Sequence, residues 1–496
     1  MHKLFKVTAA VSIVTITTCI AGLVRAKFTA ITLGPGGVGI FSQAFNFQQL
    51  AITIASLNIG LGIAKYVAQY KAENDLSKVK DTILAAFAMQ GMATLGMIVL
   101  MIAFLSPLSK FLFSSYEYRA LLLFLSISVM SFVAVSTMEA ALFGFGNYQA
   151  FAKCRSYANL LQLIPLFIFI YTMKVRGGFL YLAVSGVISF IVYYCIFRKN
   201  VPEDIVKKIF SLKEILNISD SVKKIARDML LYAGVISITS IIGLISIVFL
   251  RSMLIRYFGP DANGYYQVVF SLSAYHIALF TNGLWSYSYA KLSTMTDPTA
   301  YAVEVNHTMR FCILGIMPII VILFLLRDVM INMVFSNKFI YARELFPTQL
   351  FGDLFFMLFY VMSLSLLASS RLRAYLAFGL FSSAFMITAF LLLREVLGMR
   401  AITVSYLAAN AVSLFAIILY HIKKMQFTLY ARNLKLFISA LCLCGVVLFT
   451  GGDNLPMAAV KVILLCGWLG ILTTASEKKK AWDAVISRTR ILRGSA

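Results

Sequence analysis

The informative charges are four cations inside long hydrophobic runs: Arg25 and Lys27 in one, Arg251 and Arg256 in another. A charge at the centre of a bilayer costs at least about 2.5–3.5 kcal/mol, so such residues face a cavity, a partner or the interface. Neither run holds an acid to pair with them, apart from Asp228 at the very start of the second. Lys27 lies about 200° around a helix from Arg25, so the two cannot point into one cavity. Lys27 and Arg256 are therefore expected to snorkel to the interface. Arg25 and Arg251, which sit deeper and at matching places in two copies of one unit described below, are expected to face a cavity. A guanidinium grips phosphate oxygens bidentately, so this pair is the candidate site for an anionic phosphate group.

A polar stripe follows the first cations. Gln43, Asn46, Gln49, Thr53 and Ser56 recur at intervals of three or four, which places them on one helical face. Ser271, Tyr275, Asn282 and Ser286 form the corresponding stripe in the second copy. Gln43, Asn46 and Asn282 are candidate ligands for a hydroxyl-rich substrate; the alternative is hydrogen bonding between helices. Glu139 and Asp353 are the intramembrane acids, candidates for carrying a coupling ion or for capping a helix near the interface. Of four histidines only His276 is expected within a span, and the seven cysteines lie mostly in apolar runs. No metal site, cofactor or catalytic residue is expected. Gly34-Pro-Gly36-Gly-Val-Gly39 matches GxGxxG literally, but a dinucleotide site needs a strand before it and an acid about 20 residues on. The first acid of the chain is Glu73, so a tight exterior turn is expected instead.

The elements that must position these residues follow from composition. Of 496 residues 60% are hydrophobic and 13% charged, with a mean hydropathy of +0.87. A soluble domain has no place for that excess, which leaves an all-α polytopic membrane protein. Fourteen spans are expected at 7–33, 39–65, 82–106, 120–144, 156–174, 179–197, 229–257, 265–290, 311–333, 347–370, 374–393, 401–420, 436–450 and 456–474. The first reads as an uncleaved helix rather than a signal peptide. With both termini in the cytoplasm, inner segments hold 30 Lys and Arg and outer loops 8. That asymmetry sets the orientation. It also directs the net charge of +24 at anionic membrane lipid, with no need of nucleic acid.

Leu33-Gly-Pro-Gly-Gly-Val-Gly39 recurs as Phe258-Gly-Pro-Asp-Ala-Asn-Gly264, an offset of 225. The segments 142–151 and 366–375 match at 224. Two such points indicate a duplication, with copies related by a pseudo-two-fold along the membrane normal. The expected domains are a six-helix lobe 1–197, a basic amphipathic cytoplasmic linker 198–228, a second six-helix lobe 229–424, extra helices 13 and 14 over 425–475, and a basic cytoplasmic tail 476–496. The linker's apolar positions are Ile205, Ile209, Leu212 and Ile215.

The order of features resembles the polysaccharide-exporter (Wzx, O-antigen translocase) branch of the multidrug/oligosaccharidyl-lipid/polysaccharide flippase superfamily. The resemblance is carried by Gly22-Leu-Val-Arg25, Leu33-Gly-Pro, Ser42-Gln43, Gly60-Leu-Gly-Ile-Ala-Lys65-Tyr-Val and Leu142-x-Gly-x-Gly146-x-Tyr148. It implies an inner-membrane carrier of a polyprenyl-diphosphate-linked oligosaccharide, working by alternating access beside a polysaccharide polymerase and chain-length machinery. Arg25 matches the cavity arginine of the lipid II flippase branch. That branch usually has an acid next, where this chain has Ala26, which argues against lipid II as substrate. A multidrug or cation antiporter of the same superfamily would want a carboxylate in its first helices, and residues 1–72 contain none. A membrane enzyme would want catalytic His, Asp or Glu and a large exterior loop, and the longest expected here is about a dozen residues.

Overall fold

The computed structural model describes residues 2–209, 220–450 and 455–473, and among these every regular element is helical. Among the described residues, eight helices are long and apolar enough to cross a membrane, or nine when a bent pair is taken as one. Three of the eight are 53, 59 and 54 residues long. About 20 residues cross the hydrocarbon, so each of these is two crossings joined at a break.

Three of the four breaks fall at a glycine. Within His2–Ala55 the helix stops at Gly34, whose φ of 67° is easy only for glycine, and restarts at Pro35. Proline has no N–H to leave unbonded in a first turn and its fixed φ already suits a helix. Gly259 at φ 81° and Pro260 repeat the device 225 residues later. Lys174 and Gly398, also at positive φ, mark the other two breaks. Fourteen spans result among the described residues: 2–33, 35–55 with its bent continuation Gly60–Ala72, Leu76–Ala103, Leu122–Gly144, 148–173, 175–200, 220–258, 260–292, Pro298–Leu325, Phe346–Ala368, Leu372–Leu397, Ala401–Met425, Ala431–Phe449 and the short Leu455–Leu472. They are called spans 1 to 14 below.

Two expectations are corrected. The Gly34–Gly39 segment is no exterior loop: the turn is Gly34 alone, and residues 36–39 are already the first turn of span 2. Span 12 also runs on to Met425 and holds the buried His421, and span 9 starts at Pro298 and holds His307, so His276 is not the lone histidine within a span. Of the amphipathic linker, Glu203–Ile209 is helical, while Leu212 and Ile215, like the tail 476–496, lie outside the described residues.

Polar residues start the helices that follow the polar turns. Asp75 caps span 3 by accepting from the Lys78 N–H at 3.0 Å. That bond, with the Lys78 ammonium beside it, holds the Asp75 carboxyl below the usual carboxylate range. Asn147 caps span 5 and Asp297 span 9 in the same manner.

The chain divides into two compact units. The first holds the described residues up to Val269 with Met330–Ala342 and Gly379–Ile402. The second holds Phe270–Val329, Arg343–Phe378 and the described residues from Thr403 onward. In the first unit one core gathers Ile59, Ile63, Ile83, Met138 and Phe197, and another gathers Ala44, Ala51, Leu125, Val129 and Phe179. In the second, Ile313, Ile316 and Ile320 of span 9 are fully buried, as are Leu354 and Leu358 of span 10 and Val447 of span 13. Large apolar residues such as Val396 and Ile471 are exposed, as lipid-facing positions would be.

Within the first unit the repeated glycine segments meet reciprocally. A Cβ on Gly39 would lie 2.0 Å from the Pro260 carbonyl oxygen, and one on Gly264 would lie 2.1 Å from that of Pro35. Both pairs are related by the offset of 225 read from the sequence. The two helix starts therefore pack backbone to backbone, an approach that only residues without side chains permit.

Candidate functional site

The structure brings Arg251 and Gln43 together at these paired helix starts. Arg251 is fully buried. Its Nη1 donates to Ser42 Oγ at 3.3 Å and to Asn263 Oδ1 at 3.4 Å, and the guanidinium lies 4.9 Å from the centre of the Tyr266 ring. Asn263 in turn donates to the Gly39 carbonyl at 2.7 Å, the carbonyl that the close glycine packing brings within reach. Gln43 donates to the Val248 carbonyl at 3.0 Å and to Ser252 Oγ at 2.8 Å. Spans 2, 7 and 8 are thus tied by one buried polar network around a cation. Its members include hydroxyl, amide and ring-face partners, which soften the charge.

Arg25 has a different setting. It is half-buried on span 1, 5.9 Å from the centre of the Tyr181 ring on span 6, and its Nε has no hydrogen-bond partner among the described residues. The register fixed by Gly39 and Gly264 places Arg25 opposite Leu250 and Arg251 opposite Ala26. That slip of one residue is about 100° on a helix. The two arginines are therefore not symmetry mates, and the sequence expectation of matching places is corrected on this point. Lys27 Nζ reaches the Asn332 carbonyl at 2.8 Å.

The polar stripe of span 2 divides. Gln43 and Ser56 are buried between helices, Ser56 accepting at its carbonyl from Gln90 Nε2 at 2.9 Å. Asn46, Gln49 and Thr53 are half-buried, and Asn46 and Thr53 bond back to their own helix. Asn282 is exposed on span 8, directly before a π-helical turn at Trp285–Tyr289.

Neither Glu139 nor Asp353 caps a helix. Glu139 receives Arg155 Nη1 at 2.9 Å and the Tyr193 hydroxyl at 3.0 Å, which ties spans 4, 5 and 6. Asp353, in the second turn of span 10, is fully buried. It accepts from Ser273 Oγ at 2.7 and 2.8 Å and from the Tyr406 hydroxyl at 3.1 Å, and His276 Nε2 stands 3.2 Å from its Oδ2. His276 was visible in the sequence as a histidine inside a span; its pairing with an acid 77 positions away was not.

Two further features escaped sequence reasoning. In the second unit a cavity of about 830 Å³ is lined by Phe280, Tyr287, Lys291, Glu304, His307 and Phe311 among others, with Lys291 and Glu304 joined at 2.6 Å. Lys461 of span 14 is buried 5.0 Å from the centre of the Phe324 ring, while Arg327 stacks on that ring at 4.1 Å. The signal in the sequence is a lone lysine in an apolar span with no other charge.

Comparison with known proteins gives this arrangement its context. Residues 4–281 match the family model described as "Polysaccharide biosynthesis protein". The Lipid III flippase of Escherichia coli (strain K12) is 27% identical over 363 residues, covering 72% of this chain and 83% of that protein. An uncharacterized membrane protein of Methanocaldococcus jannaschii is 22% identical over 337 residues, 64% of each chain. Among solved structures, an inward-facing multidrug resistance MATE family transporter of the MOP superfamily aligns with a TM-score of 0.69 at 14% identity, covering 85% of this chain and 98% of its own. The lipid II flippase MurJ in an inward closed conformation aligns at 0.65 and 15% identity, covering 97% and 99%. These structures share the fold, and their low identity carries nothing more. The sequence match spans more than half the chain: this multi-pass membrane protein belongs to the polysaccharide biosynthesis protein family.

Proposed function

We propose that the chain is a flippase that moves a polyprenyl-diphosphate-linked oligosaccharide from the cytoplasmic to the periplasmic leaflet of the bacterial inner membrane by alternating access. The observation that carries this reading is the match to the Lipid III flippase over 83% of that protein's length. The residues agree with it. Arg25, half-buried with an unoccupied Nε donor, is the ligand for the diphosphate. Arg251 joins it in a state where Ser42 and Asn263 release its guanidinium. Gln43, Asn46 and Asn282 supply amides for the sugar hydroxyls. Two related lobes with breaks at Gly34 and Gly259 suit a carrier that rocks about a fixed site. A polysaccharide polymerase and its chain-length machinery are the expected consumers of the exported unit. The transporter likeness gives no reason to prefer a multidrug antiporter, because residues 1–72 hold no carboxylate to bind a cation.

Expression in a strain lacking its lipid III flippase is expected to restore the missing surface polysaccharide. Failure there, together with failure in strains lacking an O-antigen flippase, would reject the substrate class. The orientation follows from the lysine and arginine asymmetry. Reporter fusions after Ser476 are expected to read cytoplasm and those after Gly452 the periplasm. A cytoplasmic reading at Gly452 would show that spans 13 and 14 do not cross separately.

A further inference from the structure

Asp353 is surrounded by hydrogen-bond donors. Ser273 Oγ reaches both of its oxygens, Tyr406 donates to Oδ1, and Gln349 Nε2 lies 3.4 Å from the same atom. Tyr406 gets that close because the neighbouring residue is Gly352: a Cβ there would stand 2.6 Å from the tyrosine ring. Spans 8, 10 and 12 thus converge on one carboxyl group.

The fourth neighbour is His276, itself buried on span 8. Its Nδ1 lies 3.1 Å from the Leu272 carbonyl oxygen. A carbonyl only accepts, so Nδ1 carries a hydrogen and Nε2 is the site that gains or loses one. Nε2 approaches Asp353 Oδ2 at ion-pair distance but off the hydrogen-bonding direction, so the two groups interact chiefly through charge. An ionised carboxylate in a dry interior needs a nearby opposite charge. Carboxylate with imidazolium, or carboxylic acid with imidazole, both satisfy that need. In either form the pair holds one exchangeable proton and is neutral overall. Of the other charged groups on spans 9 and 13, which pack against span 10, Glu304 pairs with Lys291, Arg310 donates to the Leu472 carbonyl, and His307, Arg432 and Lys435 are exposed. Spans 9 and 13 also bring the buried thiols Cys312 and Cys444.

We propose that His276 and Asp353 form a proton-binding site whose single proton is exchanged once per transport cycle. Loss of the proton leaves a net negative charge among spans 8, 10 and 12. That charge favours an arrangement which admits water or a cation to the carboxylate. Proton occupancy therefore biases which arrangement of these three helices is populated. The proton's role in coupling rests on the flippase reading; proton binding itself does not.

The test has two arms. In lipid nanodiscs without substrate, stepping from alkaline to acidic pH is expected to load wild-type protein with about one proton per chain more than Asp353→Asn, read with a pH-sensitive dye. His276→Gln keeps the carboxyl and so still binds one proton, but it is expected to take it up at a lower pH than wild type, because the imidazolium–carboxylate form is gone. Uptake by Asp353→Asn equal to wild type, or by His276→Gln at the wild-type pH, overturns the proposal, whatever the substrate is. In proteoliposomes carrying a short prenyl-diphosphate-linked N-acetylhexosamine, an outside-acidic gradient at zero potential is expected to accelerate outward flipping by wild type. Both variants are expected to lose that acceleration completely. Acceleration that survives in both would overturn coupling. Absence of wild-type flipping under any gradient would reject the substrate, leaving the proton count to decide the site.

Discussion

Gly39→Ala and Gly264→Ala are each expected to destabilise the protein by about 3 kcal/mol, the upper part of the usual overpacking range. The added methyl would meet a backbone carbonyl carbon or oxygen rather than the yielding end of a side chain, at 2.0 Å in one case and 2.1 Å in the other. Relief would require the starts of spans 2 and 8 to part. That separation would also pull the Gly39 carbonyl from Asn263 and loosen the network around Arg251. Gly243→Ala is the contrast, since a Cβ there meets nothing within 4 Å. At that helical position alanine is expected to be neutral or to stabilise by about 0.5–1 kcal/mol. Thermal unfolding of detergent-purified protein, followed by size-exclusion, separates the cases. Equal melting of Gly39→Ala and Gly243→Ala would mean that the two helix starts do not pack as described.

Arg25→Ala is expected to lower the flipping rate by about a hundredfold or more, because two charge-assisted hydrogen bonds at about 1.5–3 kcal/mol each are lost. The same variant is expected to melt like wild type, since Arg25 Nε gives up no internal hydrogen bond. Arg25→Lys is expected to recover only part of the rate, because an ammonium cannot reproduce the planar fork. Arg251→Ala is expected to behave differently, losing flipping and also about 1–3 kcal/mol of stability as Ser42 and Asn263 lose a buried partner. The separation between the two variants, one functional and one both functional and structural, follows directly from their unequal burial. Arg25→Ala flipping at the wild-type rate would remove Arg25 from the site.

Much of the architecture is legible in the chain because the bilayer makes a simple demand. A span must be long, apolar and helical, so hydropathy alone places fourteen of them. The pseudo-symmetry was equally visible, since Gly34-Pro35 and Gly259-Pro260 are unusual pairs at a fixed offset. What the sequence conceals is contact between distant residues. The glycines after Pro35 look like loop residues, because a turn and a close helix crossing call for the same side-chain absence. Arg25 and Arg251 look equivalent until a one-residue register shift separates their faces. Asp353 reads as a helix cap because its position near the start of span 10 says nothing of Ser273, His276 and Tyr406, which arrive from other helices. Span 12 runs past Lys423 and Lys424, which in the sequence look like the start of a loop, and so takes in His421.

The most direct test of the account is to watch the anion move. A diphosphate of about two negative charges leaving an inside-negative compartment gains about 4–5 kcal/mol per 100 mV, from about 2.3 kcal/mol per charge. Proteoliposomes carrying the prenyl-diphosphate-linked N-acetylhexosamine, clamped by a potassium gradient and ionophore at equal pH on both sides, isolate that force. The measured quantity is the share of headgroups reached by a membrane-impermeant probe outside. The account predicts outward accumulation at inside-negative potential, none at zero, and inward accumulation on reversal, with all three signals abolished in Arg25→Ala. A wild-type distribution indifferent to the sign of the potential would contradict it.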